Sequence, residues 1–509
     1  MHVLDRRPRQ LEVRVRAHRL VEDPQVEARE PQGRPGLHPQ AETDDEAEEG
    51  EGRTPPAPEP GWRWRRGRGW GRGRQGRRRR PRGRLRWGAA RRRVAYVCRS
   101  RRRGRGRGRS HEGRRYAFGA GGSENRAMVI TARALNRSTL ARQLLLDRAP
   151  VDVEEALRRV VALQAQQPGS PYVALWNRVA GFDPGRFDGA VEGFRAVRST
   201  LMRLTLHVVH VEDYRAFREG MEPTLRGSRL GDHRFRAAGF TPADADALLP
   251  ELLAYAERAR TGAEMLSRLQ EGRGGPVESV VWRMIRQYAP LWHAPTGPPW
   301  SYGTAQSFVT ANALPEHRDP DAVAAGLAVL VRRYLEGFGP ASVADVAQFS
   351  MTQRGRVREA LAALGDRVER LEGPDGVVLY DVPGAVRPDE DVPAPPRLMA
   401  MWDSILLAYA DRGRVIPPEY RKSVIRVNGD VLPTLLVDGY VAGVWRPVDG
   451  GIEVSAFRPL PAAVWEELAE EAGALGAFLA GRDPLVYRRY DHWWAKGLPP
   501  VETKVFPVL

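Results

Sequence analysis

The chain has very few cysteines and lysines for its length. Its 509 residues include one cysteine, Cys98, which lies in an N-terminal segment of unusual composition. The sequence from residue 128 onwards therefore has no thiol for a disulfide, a thiolate metal site or a cysteine nucleophile. Only Lys422, Lys496 and Lys504 could supply an amine for Schiff-base chemistry.

Long apolar runs and metal-binding histidine patterns are also missing. No apolar stretch approaches the ~20 residues needed to span a bilayer, and the N-terminus has no signal-peptide apolar region. The ten histidines include no H-x-x-x-H pair. Residues 128–509 contain no phosphate-cradling loop of the P-loop or dinucleotide type. We expect a cytoplasmic protein with no membrane segment, no metal site and no cofactor.

The positive charge of the chain is confined to its N-terminal quarter. Residues 1–127 hold 35 of the 80 basic residues, all of them arginine, and 16 of the 63 acidic ones. Their net charge is +19. The remaining 45 basic and 47 acidic residues give residues 128–509 a net charge of −2. The overall charge of +17 is therefore no sign that the folded part binds nucleic acid.

The segment 1–127 is predicted to be disordered. It joins an acidic block, a proline-rich linker and an Arg/Gly/Trp run, with no apolar stripe long enough to bury a core. One interpretation is a basic tail that binds phosphate backbones of DNA or RNA. The alternative is that translation starts at Met128, because arginine without lysine is what an out-of-frame GC-rich message would encode.

Residues 128–215 are predicted to form a first winged helix. Asp152 and Glu155 predict the start of an amphipathic helix, and a second helical stripe contains Tyr172, Leu175 and Trp176. An extended run is expected at 201–209. Helix, tight connection, helix and strand is the order of a winged helix-turn-helix.

Three further regions complete the predicted organisation. Residues 216–335 are expected to be mostly helical and to form a second winged-helix unit. Residues 336–387 are predicted to form another winged helix, with Ser342 and Asp345 capping its first helix and a hairpin turn at Gly373-Pro374-Asp375-Gly376. Residues 397–509 are predicted to form a β-rich domain with tight turns at Asn428-Gly429, Asp438-Gly439 and Asp449-Gly450. The predicted fold class is α+β.

Several segments of the region 128–509 resemble the bacterial winged-helix DNA glycosylases, the AlkZ-like group. They are Leu163-Gln164-Ala165-Gln166, the Trp176 helix, Thr205-Leu206-His207, Trp292-His293-Ala294-Pro295 with Trp300, Gly339-Pro340-Ala341 with Ala344-Asp345, Trp402-Asp403 with Asp411-Arg412, and Leu436-Val437-Asp438-Gly439 with Gly443-Val444-Trp445. The resemblance implies tandem winged helices around duplex DNA. It also implies excision of alkylated purines and, in some members, unhooking of interstrand crosslinks.

The resemblance assigns catalysis to Gln164 and Gln166, which places the chain in the Gln-x-Gln branch of that group. A purine alkylated at N7 or N3 is already positively charged and leaves as a neutral base without a general acid. One amide can then orient the attacking water while the other faces the developing sugar cation. This implies a monofunctional glycosylase that acts as a monomer on duplex DNA containing alkylated or crosslinked purines.

The two glutamines and His207 also have structural interpretations, and the chain has competing functional ones. The two glutamines are also suited to capping the free carbonyls of the preceding helix. His207 alternates with apolar neighbours, which predicts a solvated histidine on the polar face of a strand. The candidate DNA contacts are Gln167, Arg198, Arg203, His207, Arg412 and Arg414, with Arg421 and Lys422 as further basic residues on a phosphate path. The competing functions are a transcriptional regulator and a nucleic-acid-coating protein that depends on the tail.

Overall fold

The computed structural model describes residues 129–303, 305–311 and 319–508. The predicted disorder of residues 1–127 lies outside these residues. The described residues belong to one compact unit that mixes α-helices with antiparallel sheets.

The helices are numbered α1 to α15 along the described chain. They are α1 (Ala132–Arg142), α2 (Val153–Val160), α3 (Ser170–Trp176), α4 (Pro184–Glu192), α5 (Val211–Arg229), α6 (His233–Ala237), α7 (Pro242–Tyr255), α8 (Gly262–Arg273), α9 (Ser279–Tyr288), α10 (Pro320–Phe338), α11 (Val343–Ser350), α12 (Arg354–Leu364), α13 (Arg421–Val424), α14 (Ala462–Ala480) and α15 (His492–Ala495).

The strands are numbered in the same way. They are β1 (Leu163–Gln164), β2 (Ala196–Thr200), β3 (Leu206–His210), β4 (Arg260–Thr261), β5 (Leu291–His293), β6 (Ser307–Thr310), β7 (Glu369–Glu372), β8 (Val378–Asp381), β9 (Arg397–Leu398), β10 (Thr434–Val437), β11 (Tyr440–Val448), β12 (Gly451–Ala456) and β13 (Glu502–Pro507).

A six-stranded antiparallel sheet joins the first two predicted regions. Its order is β1-β3-β2-β5-β6-β4, so three strands come from residues 128–215 and three from 216–335. Most of the second region is helical, as expected, but it also contains three short strands that were not expected. Strands β4, β5 and β6 are two to four residues long, which is too short to show an alternating pattern.

The helix that precedes the glutamine segment begins and ends as its local chemistry dictates. The Asp152 side chain accepts a hydrogen bond from the backbone N–H of Glu155, which starts α2. One face of α2 is buried. The helix ends at Val160, its C-cap residue Val161 has φ of +71°, and β1 begins at Leu163. The segment between α2 and α3 is therefore partly a strand.

The run 201–209, expected to be extended throughout, is not one strand. Arg203 and Leu204 have φ of +53° and +58°, and residues 202–204 form a 3-10 turn. The N–H of Leu201 donates to the carbonyl of Thr205 and closes this turn. The strand β3 begins only at Leu206. No glycine marks the left-handed positions, so the reversal left no signal in the sequence.

The helices and hairpin expected in 336–387 are present. Ser342 and Asp345 form a reciprocal capping box at the start of α11. The hairpin β7–β8 turns at residues 374–376, where Asp375 has φ of +56° and Gly376 of +72°. Local signals placed these elements within one or two residues.

The C-terminal region contains a five-stranded antiparallel sheet, in the order β13-β12-β11-β10-β9, against which α14 packs. The turns at Asp438-Gly439 and Asp449-Gly450 are present, with Gly439 at φ +80° and Gly450 at φ +79°. The stretch before the Asn428-Gly429 turn is not a strand of this sheet, because the short helix α13 ends at Val424 and only one isolated bridge follows.

Close packing and buried ion pairs hold these parts around one continuous core. Helices α5 and α10 touch at Gly220 and Gly326, where a Cβ on Gly326 would lie 2.6 Å from the Ala216 carbonyl oxygen. The buried Arg178 guanidinium pairs with both oxygens of the buried Asp403, each at 2.8 Å.

Candidate active site

Gln164 lies on β1, the edge strand of the six-stranded sheet. Its Cα pairs with that of His207 on β3, so the two side chains leave the same face. Gln164 is 5% exposed. Its Oε1 atom accepts a hydrogen bond from Arg203 Nη2 at 2.5 Å. A guanidinium can only donate, so this contact fixes which end of the amide faces Arg203.

Gln166 lies just beyond β1 and is exposed. The backbone N–H of Ala165 donates to the Leu206 carbonyl at 2.8 Å. The N–H of Leu206 in turn donates to the Gln166 side-chain oxygen, also at 2.8 Å. The side chain thus takes the place of a backbone acceptor in the strand ladder. One lone pair of Gln166 Oε1 remains for another donor, such as a water molecule.

The capping alternative for the two glutamines is wrong. In the described part of the chain their side-chain oxygens accept from Arg203 and Leu206, and neither amide is bonded to a carbonyl of α2. The Val160 carbonyl is instead reached by Gln143 Nε2 at 3.3 Å. Both glutamines are held against the strand β3 and the turn before it.

Arg203 sits between the candidate catalytic residues and the protein core. Its Nη2 also donates to His207 Nε2 at 3.0 Å, and its guanidinium lies 5.2 Å from the centre of the Phe349 ring. The Nε and Nη1 atoms are buried and have no hydrogen-bond partner among the described residues. The structure therefore places Arg203 under Gln164 rather than on an open phosphate path.

The Arg203 charge is poorly solvated but persists at neutral pH. Burial lowers the pKa of Arg203 to about 9, with a smaller contribution from the nearby positive charge of Arg412. That value keeps the guanidinium protonated near pH 7. A cation beside the Gln164 oxygen polarises this amide and strengthens the hydrogen bond.

His207 is buried and neutral. The prediction of a solvated sheet histidine is wrong, because its side chain is 0% exposed. Burial, followed by the Arg203 charge, lowers its pKa well below the usual 6.5. Since Nε2 accepts from Arg203, the proton lies on Nδ1, which donates to the Thr205 carbonyl at 3.1 Å. In this position His207 orients Arg203 and makes no contact with solvent.

Arg198 supports the glutamine segment from the neighbouring strand. Its Nε donates to the carbonyl of Ala165, the residue between the two glutamines, at 3.1 Å. The guanidinium lies 5.0 Å from the centre of the Tyr302 ring, and the residue is 6% exposed. The structure places this predicted DNA contact inside the protein.

The remaining predicted DNA contacts are spread over two places. Gln167 is half-buried next to Gln166. Arg412 and Arg414 are half-buried in a 3-10 turn, where they donate to the carbonyls of Tyr409 and Pro340 respectively. Burial, followed by the Arg421 charge, lowers the pKa of Arg412 to about 10.

Arg412 is close enough to Arg203 for its charge to lower the pKa of Arg203, whereas Arg414 stacks on Tyr409, 4.1 Å from the ring centre. Arg421 and Lys422 are exposed on α13. Of the predicted residues, the structure brings Gln164, Arg203 and His207 into direct contact.

Phe349 is a site residue that sequence reasoning missed. It lies on α11, which contacts the turn at residues 202–204, and its ring packs beneath the Arg203 guanidinium. The residue is fully buried and reads in the sequence as ordinary helix core. No pattern links it to a turn almost 150 residues earlier.

The described residues offer no alternative centre of metal chemistry. Among them, no group of three or more His, Cys, Asp or Glu side chains is arranged to hold a metal ion. None of the described helices has the length and apolar character needed to cross a membrane.

Comparisons with known proteins agree on one family. The family model described as "DNA glycosylase AlkZ-like" matches residues 157–478, which include both glutamines, Arg203 and His207. A relative from Streptomyces sahachiroi, the "Interstrand DNA cross-link repair glycosylase", is 26% identical over 367 residues. That alignment covers 66% of this chain and 94% of the relative.

A solved structure shares the fold. The Streptomyces sahachiroi DNA glycosylase AlkZ superposes with a TM-score of 0.57 at 22% identity. The superposition covers 69% of this chain and 96% of that protein.

Proposed function

The chain belongs to the AlkZ-like DNA glycosylase family, and on this premise we propose that it is a monofunctional glycosylase that hydrolyses the N-glycosidic bond of cationic purines alkylated at N7 or N3. Gln164 and Gln166 carry the reaction. The observation that supports this most is the anchoring of the exposed Gln166 by the Leu206 N–H, beside a Gln164 polarised by Arg203.

Gln166 orients the attacking water. Its oxygen accepts a hydrogen bond from the Leu206 N–H and uses its second lone pair to accept another from the water. An amide is a poor proton acceptor, so it positions the water and leaves the proton to solvent as the bond breaks. This arrangement suits a reaction in which departure of the base precedes most of the attack.

Gln164 acts electrostatically on the sugar. Its oxygen has one lone pair engaged by Arg203 and presents the other to the developing oxocarbenium ion. The positive charge of Arg203 opposes this cation, and an ordinary purine would gain little from such a site. A purine that already carries a positive charge leaves as a neutral base, so the total charge at the site does not rise during the reaction.

Water rather than an amine is the nucleophile in this proposal. A Schiff-base mechanism needs a lysine or another amine at the sugar. Among the described residues, no lysine side chain is bonded to Gln164, Gln166, Arg203 or His207.

The proposed domain organisation is a series of winged-helix units. We infer tandem winged-helix units at 128–215, 216–335 and 336–387, followed by a β-rich domain at 397–509. The helix pair α11–α12 with the hairpin β7–β8 supports the third unit. The shared six-stranded sheet links the first two units closely. The protein is proposed to act as a monomer on duplex DNA.

Interstrand crosslinks are included among the proposed substrates. The relative from Streptomyces sahachiroi is named as a crosslink repair glycosylase. A crosslink formed through purine N7 atoms leaves each linked purine cationic, so the same amide pair suits both kinds of lesion.

Base release by the full chain from a 7-methylguanine duplex tests the function. We expect abasic sites to form, and Q164A and Q166A each to slow release by at least tenfold. Q270A is the matched control, because this variant also loses one glutamine amide group. Gln270 is half-buried on α8, far along the chain from β1. Sequence-specific binding of undamaged DNA without base release would instead indicate a regulator.

A further inference from the structure

A groove runs between α11, α12 and the hairpin β7–β8. Its volume is about 430 Å³, and its walls include Arg354, Arg358, Arg370, Val377 and Tyr380. Arg354 and Arg358 are four residues apart and share one face of α12. Arg370 lies on β7 opposite Tyr380 on β8. A helix and a hairpin therefore bring three guanidinium groups to one place.

The three arginines of this groove lack counter-charges. All three are exposed. Within the described residues none of them forms an ion pair, and no carboxylate lines the groove. Other exposed arginines of the described residues do have such partners, as Arg159 has in Glu155 at 2.8 Å and Arg332 in Glu336 at 2.9 Å. Three like charges that converge without a partner favour binding of a polyanion.

The arginines near the glutamines do not meet this need. Arg198, Arg412 and Arg414 donate to backbone carbonyls, and Arg203 donates to Gln164. A duplex seated at the glutamines has phosphates on both strands that require cationic contacts. These contacts must come from other surfaces of the protein.

The groove lies close to the glutamine site along one helix. Val343, at the start of α11, lines the groove, while Phe349 near its other end packs under Arg203. Six residues of α-helix separate the two residues by about 9 Å. One turn of B-form duplex spans about 34 Å, so a single duplex can occupy both places at once.

We propose that Arg354, Arg358 and Arg370 form a phosphate-binding groove for the backbone of the duplex beside the lesion. This inference rests on the proposed function, because the polyanion is the substrate of the glutamine site. The exposed Val377 at the hairpin provides an apolar contact for deoxyribose. The groove adds affinity without reading bases and takes no part in cleaving the glycosidic bond.

The salt dependence of binding to an undamaged duplex of about 30 base pairs tests the groove. Each phosphate contact contributes roughly 0.9 to the slope of log K against log salt concentration. We expect R354Q, R358Q and R370Q each to lower the slope by about 0.9 and the triple variant by roughly 2 to 3. The full chain is used throughout, so the contribution of the N-terminal segment cancels in the differences.

R356Q is the matched control. Arg356 lies on the same helix, two residues from both Arg354 and Arg358, and therefore on the other side of α12. The variant loses the same charge and should keep the wild-type slope. A thermal unfolding curve for each variant shows whether the fold is retained. R358E, which reverses the charge, is a second and stronger substitution at the same position.

The outcomes separate this inference from the proposed function. A lower slope in the triple variant supports the groove even if no base release is ever seen, because the assay needs no chemistry. An unchanged slope in a folded triple variant overturns the groove even when 7-methylguanine is released normally. If the triple variant lowers the salt slope equally with single-stranded DNA of the same length, the assignment of the groove to duplex DNA is overturned.

Discussion

The Arg203 Nη2 atom lies 2.5 Å from the Gln164 Oε1 atom, and the same nitrogen donates to His207. This contact joins a residue with a left-handed backbone conformation to the edge strand that carries the proposed catalytic amide. It gives Gln164 one orientation and polarises its carbonyl. Arg203 is therefore a positioning residue in this account.

Replacement of Arg203 should affect the rate of base release more than DNA affinity. In R203M, Gln164 loses a charged hydrogen bond worth about 1.5–3 kcal/mol. If that loss falls on the transition state, the rate drops roughly 10- to 100-fold. R203K keeps one donor and should recover part of the rate. Single-turnover release and duplex affinity are measured on the same proteins.

The alternative role of Arg203, a direct phosphate contact, gives the reverse pattern. In that case R203M would lower the salt slope of duplex binding by about 0.9 while bound substrate reacted at the wild-type rate. R358Q provides the comparison, because its expected defect is in binding alone.

Stability should fall in mild acid because two buried histidines are neutral. Burial holds the pKa of His207 and of His293 well below 6.5. Below pH 6.5 the two histidines bind protons in the unfolded chain but not in the folded protein. The free energy of unfolding therefore has its full value above pH 6.5 and decreases as the pH falls below it. At pH 5.5 each histidine costs about 1.4 kcal/mol.

Urea unfolding of the wild type and H207Q at pH 7.5 and 5.5 isolates this effect. Other groups titrate alike in both proteins, so the loss between the two pH values should be about 1.4 kcal/mol smaller in H207Q. Equal losses would mean that His207 is protonated in the folded protein.

The turn at Asp438-Gly439 should tolerate a side chain much less well than the turn at Asp449-Gly450. Both glycines have φ near +80°, so each alanine variant carries a left-handed strain of about 1–2 kcal/mol. A Cβ on Gly439 would also lie 2.5 Å from Asn136 Oδ1 and 2.6 Å from Leu140 Cδ1. Gly450 has open space around it.

The free energy of unfolding therefore separates G439A from G450A. We expect G439A to be the less stable variant by at least about 2 kcal/mol, since α1 must move to admit the methyl group. Similar losses would show that α1 is not packed on this turn in solution.

Local signals predicted much of the fold. The Ser342 capping box and the Asp-Gly turns depend on residues a few positions apart, so the sequence displays them directly. The strands β4 and β6 were not predicted, because a strand of two residues such as Arg260–Thr261 exists only through pairing with Phe308 and Ser307. Such pairing leaves no periodic pattern in either segment.

The candidate site was predicted only in part, because sequence signals are local and the partners of its residues lie elsewhere in the chain. The spacing and position of Gln164 and Gln166 drew attention to their segment, and the resemblance gave it a role. The partners of these glutamines depend on the left-handed turn at Arg203 and on the distant Phe349, which the alternation at 201–209 concealed. Arg198, Arg412 and Arg414, which were predicted to contact DNA, instead donate to backbone carbonyls, because charge in a sequence does not report burial.

The most direct test of the central claim compares two bases of the same shape and different charge. The full chain is incubated with duplexes that contain either 7-methylguanine, which is cationic, or 7-deaza-7-methylguanine, which is neutral. The account predicts base release from the first duplex only, and its loss in the Q164A/Q166A double variant. Release from the neutral base, or undiminished release by the double variant, would contradict it.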